Sequence, residues 1–504
     1  MTETIAATTA GKVRGIVRDG IHVFRGVPFA APPVGAHRFR PPAPAEPWDD
    51  VRDATAAGPV APQPESPLEK MLGAPPPTWD EAGCLTLNVW TPGVDDAARP
   101  VMVWIHGGAF VNGSGSTPIY SGRRFAEHGD VVVVTINYRL GAFGFLHLDH
   151  LDPDFAGSGN VGLADQIAAL RWVRDNAAAF GGDPGRVTIF GESAGGMSVA
   201  SLLVAPEAQG LFHGAIAQSG ALSHVHPRTD AQAVTEAVME AAGVTDVAGL
   251  VNLPAARLLE AQVAATERLP RTALPFGPVA DGVLLPERPL DALASGPVGD
   301  VPLLTGTTKD EMTLFLTLDL GTAEPDPAAV QRQARRFFGD RVDEVLAAYR
   351  AHRPGATDAD ILVALTTDAV FRIPAIRLAE AQVRAGRPTW MYWFTWESPV
   401  MGGALRSCHA LELPFMWDAL DKPGLSMLTG DSPERQGIAD AMHRAWIAFA
   451  HRGDPGWPRY DLDRRATMRF DVTSEVVDDP DGSERALWDT WGQPGRVSPS
   501  TPRR

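Results

Sequence analysis

Two hydrophobic periods alternate along the chain. Short apolar runs, flanked by Gly, Pro or charged residues, recur throughout. They are Val101-Met-Val-Trp-Ile-His106 ahead of Gly107-Gly108, residues 131–138, Val187-Thr-Ile-Phe190, Ala215-Ile-Ala-Gln218, Val301-Pro-Leu-Leu304 and the aromatic run 390–396. Runs this short with such flanks predict buried strands. Between them the spacing becomes helical. Leu163, Ile167, Leu170, Val173 and Ala177 line one face of a helix over 162–180, and 195–203 reads as another. Asp183-Pro184-Gly185 predicts a turn between helix and strand. Strands alternating with helices predict an α/β fold, with a large, mostly parallel central sheet flanked by helices. Helix-like stretches near 230–271 and 328–384 read as insertions between core strands. Residues 1–491 form one expected domain, and the Pro/Ser/Arg-rich residues 492–504 a disordered tail.

Two regions break the pattern. Residues 11–48 are cut into short pieces by Pro and Gly, which predicts small strands and loops. Residues 57–79 hold Pro59, Pro62, Pro64, Pro67 and Pro75-Pro76-Pro77, too much proline for regular structure. A loop of that length predicts a functional cover over a site.

Composition narrows the function classes. The 504 residues are 44% hydrophobic and 21% charged, which excludes collagen, coiled coil and wholesale disorder. Lys+Arg total 44 against 61 Asp+Glu, a net charge of −17. Such a polyanion is a poor partner for nucleic acid or anionic lipid. No apolar run approaches the roughly 18 residues of a membrane span. The start lacks the basic-then-apolar order of a signal peptide. Cys84 and Cys408 lie far apart and exclude a Cys-rich zinc site, and H-E-x-x-H is absent. The expectation is a cytoplasmic protein with no metal, cofactor, nucleic acid or membrane anchor, monomeric or weakly homo-oligomeric. Its basic residues are Arg apart from four lysines, and Ala, Gly and Pro abound, as in a GC-rich bacterial genome.

The chemistry centres on Gly191-Glu192-Ser193-Ala194-Gly195. This G-x-S-x-G lies between a predicted strand and a predicted helix. There the small neighbours allow a turn tight enough to project a serine hydroxyl outward. The helix N-terminus adds a favourable dipole. His106-Gly107-Gly108-Ala109 ends an earlier strand, where glycines let backbone N–H groups face a cavity. A nucleophilic serine needs a base, an orienting carboxylate and oxyanion donors. With 13 histidines and many carboxylates, residue types alone do not select them.

The stretch from Phe180-Gly-Gly-Asp-Pro-Gly185 through Gly195 resembles the nucleophile signature of type-B carboxylesterases, the cholinesterase-like family of the α/β-hydrolases. Similar marks run along nearly the whole chain. They include Phe24-Arg-Gly-Val-Pro-Phe-Ala30, Cys84-Leu-Thr-Leu-Asn-Val-Trp90, Asn137-Tyr138-Arg139, Gln218-Ser219-Gly220, Asp310-Glu311, His409-Ala-Leu-Glu-Leu-Pro-Phe415 and Trp457-Pro458. The likeness is greatest to bacterial p-nitrobenzyl-esterase-like members. The resemblance implies an α/β-hydrolase fold with a gorge-type site. It implies serine esterase activity on short-to-medium acyl or aryl esters through an acyl-enzyme. Ser193 matches the family's nucleophile, His409 its base and Glu311 its acid, with adjacent Asp310 the rival. Gly108, Ala109 and Ala194 match the oxyanion donors. Glu192 and Ser219 match residues that surround the triad, although each is also explained by a structural hydrogen bond.

Some positions depart from the family pattern. Met312 stands where Gly is usual after the acid. Ala61 replaces a disulfide-forming Cys, which leaves Cys84 a buried free thiol. Ala82-Gly83 replaces Glu-Asp, so Arg25 lacks its usual partner unless Glu81 substitutes. Asp165 reads as a structural carboxylate. Phe110, Phe315, Met401 and Met416 fit either a pocket wall or the core. Other substrates for the same machinery are carbamates, amides and polyester oligomers. In a different class, related domains serve as non-catalytic binding modules. Those usually lose a triad member, and all three positions are filled here.

Overall fold

Consecutive residues of a strand point to opposite faces of a sheet, and the strand Arg99–Ile105 shows the consequence. Val101, Val103 and Ile105 enter one apolar cluster, while Met102 and Trp104 enter a second on the other face. All five are fully buried. A strand covered on both faces must be apolar throughout, as this one is. The protein is described by a computed structural model covering residues 2–66, 77–269, 274–296, 299–320 and 327–491.

The strands are β1 Thr2–Thr8, β2 Gly11–Arg18, β3 Ile21–Pro28, β4 Arg52–Asp53, β5 Thr86–Thr91 and β6 Arg99–Ile105. They continue as β7 Val132–Ile136, β8 Gly182–Glu192, β9 Gly214–Gln218, β10 Leu303–Thr308, β11 Thr389–Phe394, β12 Ala466–Phe470 and β13 Glu475–Asp478. They form one sheet in the order β1-β2-β3-β5-β7-β6-β8-β9-β10-β11-β12-β13, with β4 beside β2. From β7 to β12 every pairing is parallel. The flanking pairs β1–β2, β2–β3, β3–β5, β5–β7 and β12–β13 are antiparallel. The helix Val161–Asn176 packs its Leu163, Ile167, Leu170 and Val173 into the first apolar cluster, as their spacing predicts.

Two predicted boundaries shift. The strand read at 301–304 runs instead over Leu303–Thr308. Its second half, Gly-Thr-Thr, lacks apolar character but pairs along its length with β11, and Gly306 pairs with β9 as well. The predicted turn at 183–185 lies within β8. There the pairing with β6 steps from Arg99↔Gly182 to Val101↔Val187, and Gly185 N–H bonds Asp183 Oδ1 at 2.8 Å.

Helices fill 228–268 as Arg228–Ala242, Val247–Asn252 and Ala255–Arg268. A second helical stretch runs from Pro327 to Arg384. It contains a wide π turn at Asp368–Arg372, an irregularity common at functional sites. The helix Arg435–Arg452, which periodicity did not single out, packs against the second face of the sheet through Trp446 and Phe449. Of the proline-rich stretch, residues 67–76 lie outside the described residues. The remainder carries only an isolated bridge, Val60↔Trp79. Residues 492–504 also lie outside.

Candidate active site

Parallel strands bring their C-terminal ends to one edge, where α/β sheets place their ligands. Ser193 follows β8, His106 to Ala109 follow β6, Ser219 follows β9 and Glu311 lies three residues after β10. These four strand ends therefore deliver their sequence-predicted residues to the same edge.

Ser193 has φ 56° and ψ −123°, a backbone strained for a residue with a Cβ. The strain is held on both sides. Ser193 N–H bonds the Gln218 carbonyl at 2.9 Å, and Met197 N–H bonds the Ser193 carbonyl at 2.8 Å. The flanking glycines are sterically obligatory. A Cβ on Gly195 would stand 2.0 Å from the Ile105 carbonyl oxygen, and one on Gly191 2.6 Å from the same atom. Ser193 remains half-buried at the head of the helix Ala194–Val204.

His409 Nδ1 meets Glu311 Oε2 at 2.5 Å, and His409 N–H bonds the Glu311 carbonyl at 3.3 Å. The second carboxylate oxygen of Glu311 accepts Ser219 Oγ–H at 2.5 Å and Thr308 N–H at 2.8 Å. A fully buried carboxylate with this many donors is fixed in place. Asp310 does not share this geometry. Its N–H bonds the Ser407 carbonyl, and its charged neighbours are Lys309, Arg406 and Glu397. Adjacent side chains leave this loop in different directions, and only that of Glu311 meets His409.

The other imidazole nitrogen, Nε2, lies 3.1 Å from Glu192 Oε1. That contact is electrostatic, because Glu192 Oε1 has no hydrogen-bond partner among the described residues. A further carboxylate completes the cluster. Glu412 Oε1 accepts from Gln218 Nε2 at 3.2 Å, and Gln218 Oε1 accepts from Trp446 Nε1 at 3.0 Å. Burial alone would lower the pKa of His409, but the charges of Glu192, Glu311 and Glu412 outweigh it and hold the imidazole above its ordinary value. Burial pushes the carboxyl groups of Glu192 and Glu412 up, and the Glu311 charge adds to it in both.

Gly108 and Ala109 both have positive φ, 108° and 54°, and both are half-buried. A Cβ on Gly108 would stand 2.0 Å from the Asn112 carbonyl oxygen, so no other residue fits that turn. The N–H groups of Gly108, Ala109 and Ala194 donate to no carbonyl among the described residues. The glycine turn is braced from behind. His106 Nδ1 contacts the Gly107 carbonyl at 2.8 Å, Tyr138 O–H donates to the His106 carbonyl at 2.8 Å, and the two rings stack.

Four residues of this region were not singled out by sequence reasoning as parts of the site. Glu412 and Gln218 lie inside recognised motifs but carry no signal of their own. Tyr138 lies in another. Phe371, on the π turn, packs its ring 4.7 Å from that of His409, and no sequence pattern connects them. Of the apolar candidates, Phe315 packs 5.1 Å from the His409 ring and is 37% exposed. Phe110 and Met416 are core, and Met401 is exposed.

The departures resolve individually. Met312 opens the helix Met312–Leu320 without the left-handed backbone that would call for glycine. Cys84 is a buried free thiol, as is Cys408. Glu81 does not substitute as the partner of Arg25. Its carboxylate forms a two-pronged pair with buried Arg38, at 2.6 Å through Nε, and Arg25 donates to the Thr55 carbonyl instead. Asp165 is structural, accepting from Arg139 Nε, Nη2 and N–H.

A mostly parallel sheet with a serine elbow at its C-terminal edge is the arrangement of the α/β-hydrolases. Comparison with known proteins agrees. A profile of the carboxylesterase family matches residues 2–487. The para-nitrobenzyl esterase of Bacillus subtilis (strain 168) is 40% identical over 496 residues, covering 96% of this chain and 98% of that protein. The phenmedipham hydrolase of Pseudarthrobacter oxydans is 39% identical over 501 residues, covering 95% and 97%. The crystal structure of a Geobacillus stearothermophilus carboxylesterase superposes with a TM-score of 0.87 at 43% identity, over 96% of this chain and all of that one. The chain is thus an α/β-hydrolase and a carboxylic ester hydrolase, and it belongs to the carboxylesterase family. Among the described residues, no helix is long and apolar enough to cross a membrane.

Proposed function

We propose that the chain hydrolyses short-to-medium acyl and aryl carboxylic esters through Ser193, His409 and Glu311. The observation that carries this reading is the 2.5 Å contact of Glu311 with His409 Nδ1, at the sheet edge where Ser193 is held on a strained elbow. Glu311 fixes the imidazole tautomer, so that Nε2 is the atom free to take a proton. His409 removes the Ser193 hydroxyl proton as Oγ attacks the ester carbonyl. The Gly108, Ala109 and Ala194 N–H groups receive the oxyanion, each donor contributing about 3–4 kcal/mol in serine hydrolases. The alkoxide or phenoxide leaves with the His409 proton, and an acyl-enzyme remains. Water, deprotonated by His409, then releases the acid and restores Ser193.

Ser219 acts through Glu311, which it holds by its hydroxyl. Glu192 acts through charge on His409. Phe315 and Phe371 flank the imidazole and present an apolar wall suited to an aryl or alkyl group. The relatives' names direct the substrate survey to p-nitrobenzyl esters and phenmedipham.

The test is pre-steady-state release of p-nitrophenol from its acetate and butyrate esters. A burst near one equivalent per chain is expected, and none with Ser193→Ala. Equal turnover by wild type and Ser193→Ala, with both folded, would refute the reading.

A further inference from the structure

Beyond the serine site, three side chains converge just after the short helix Gly141–Phe145. His147, Asp149 and His150 each bring one ligand atom to within 4.8 Å of the others. The His147 side chain is 1% exposed, and neither of its ring nitrogens has a hydrogen-bond partner among the described residues. Proteins rarely leave a buried imidazole wholly unpaired. Asp149 Oδ1 approaches His147 Nε2 to 2.6 Å, yet it too has no hydrogen-bond partner there, so the approach is not directed as a hydrogen bond. Two close, unsatisfied donor atoms are what a shared cation would pair.

The ring spacing agrees. The His147 and His150 centroids are 5.7 Å apart, and their stacked planes, inclined by 18°, need the exposed His150 ring to tilt for both nitrogens to face one ion. A zinc ion bound at about 2.0–2.1 Å from an imidazole nitrogen lies roughly 3.2 Å from the ring centroid, so two rings on one ion stand roughly 5–6 Å apart. Tetrahedral coordination would open the 2.6 Å approach of Asp149 to about 3.3 Å. Asp149 is partly exposed and His150 exposed, so both have room to adjust, and a water has access to the remaining position. The backbone is already anchored. Thr235 Oγ1 donates to the His147 carbonyl at 2.9 Å, and Leu148 N–H bonds Ser158 Oγ at 2.8 Å.

We propose that His147, Asp149 and His150 bind one divalent transition-metal ion of the zinc type, with water as fourth ligand. Two imidazoles and a carboxylate suit such an ion better than calcium or magnesium, which prefer oxygen throughout. The site was invisible to a search for Cys-rich or H-E-x-x-H patterns, because its ligands crowd into four consecutive residues. Its role is structural. Phe145, two residues before His147, packs edge-on against Phe110, which directly follows the Gly108-Ala109 turn. A bound ion would stiffen the wall behind that turn.

The test is calorimetric titration of the full chain, stripped with a chelator, with zinc chloride, alongside thermal melts with and without zinc. Binding of one equivalent with a Kd on the order of micromolar is expected, with a zinc-dependent rise in Tm. Asp149→Asn and His150→Ala should each weaken binding by about tenfold or more. His150 is exposed, so its removal leaves the fold and the ester turnover intact, which near-UV circular dichroism and p-nitrophenyl acetate hydrolysis would verify. No zinc binding by the wild type up to about 1 mM would overturn the proposal. So would binding of unchanged affinity in the Asp149→Asn/His150→Ala double variant, because the ion would then sit elsewhere.

Discussion

His106 and His409 are both almost wholly buried at this edge of the sheet, and their environments drive them in opposite directions. His106 has a stacked tyrosine and the Gly107 carbonyl for company. Burial outweighs that one hydrogen bond and lowers its pKa to about 4, so it stays neutral and serves as a brace. His409 suffers the same desolvation, but Glu192, Glu311 and Glu412 surround it and raise its pKa. Burial alone removes a histidine's proton. Packed carboxylates let a buried histidine hold one, as the general-base role proposed for His409 requires in mid-reaction.

Variants sharpen this comparison. The largest effect is expected for His409→Ala, a loss of about 10⁴-fold in kcat/KM, or roughly 5.5 kcal/mol of transition-state stabilisation, read by steady-state ester hydrolysis. Glu311→Gln should cost about 10³–10⁴-fold, since the amide favours the wrong imidazole tautomer. Asp310→Asn should stay within a few-fold of wild type. The reverse ranking would assign the acid to Asp310.

Glu192→Gln tests the electrostatic half of the comparison. In the proposed mechanism, His409 is protonated below the acid limb of the rate profile and cannot accept the Ser193 proton. Neighbouring negative charge raises that limb, so removing one carboxylate should move it to lower pH, by about one unit. A limb that stays in place in the kcat/KM profile would mean that Glu192 does not act on His409 through its charge. The smallest effect is expected for Tyr138→Phe, which removes the hydroxyl bond to the His106 carbonyl. It should cost about 1 kcal/mol of stability in denaturant unfolding and leave the acid limb unmoved.

Much of this site could be read from the chain. The Gly191–Gly195 motif and its strand-to-helix context led directly to a residue with φ 56° at the head of a helix. The apolar runs at 101–105 and 187–190 proved to be adjacent parallel strands. Strand β10 was legible only in part, because its Gly-Thr-Thr half owes its strand state to pairing with β11, 86 residues further along the chain at Gly306↔Tyr392. Glu412 could not be assigned a place, because its partner Gln218 is 194 residues away. Phe371 was equally hidden, since it reaches His409 from a π turn that periodicity does not encode.

By itself the sequence determined the central buried strands, the glycine turns at 107–108 and 191–195, and which serine stands on the elbow. These are local matters of side-chain size, backbone sterics and apolar period, written in consecutive residues. Family likeness then singled out Glu311 and His409 from many rivals. Only the tertiary structure decided that Glu311 rather than Asp310 meets the imidazole, that three carboxylates crowd one histidine, and that Glu81 pairs with Arg38 instead of Arg25. Those outcomes depend on distances between chain segments that residue order does not contain. The energies of charge and desolvation that set their roles arise only when folding brings the segments together and removes the water between them.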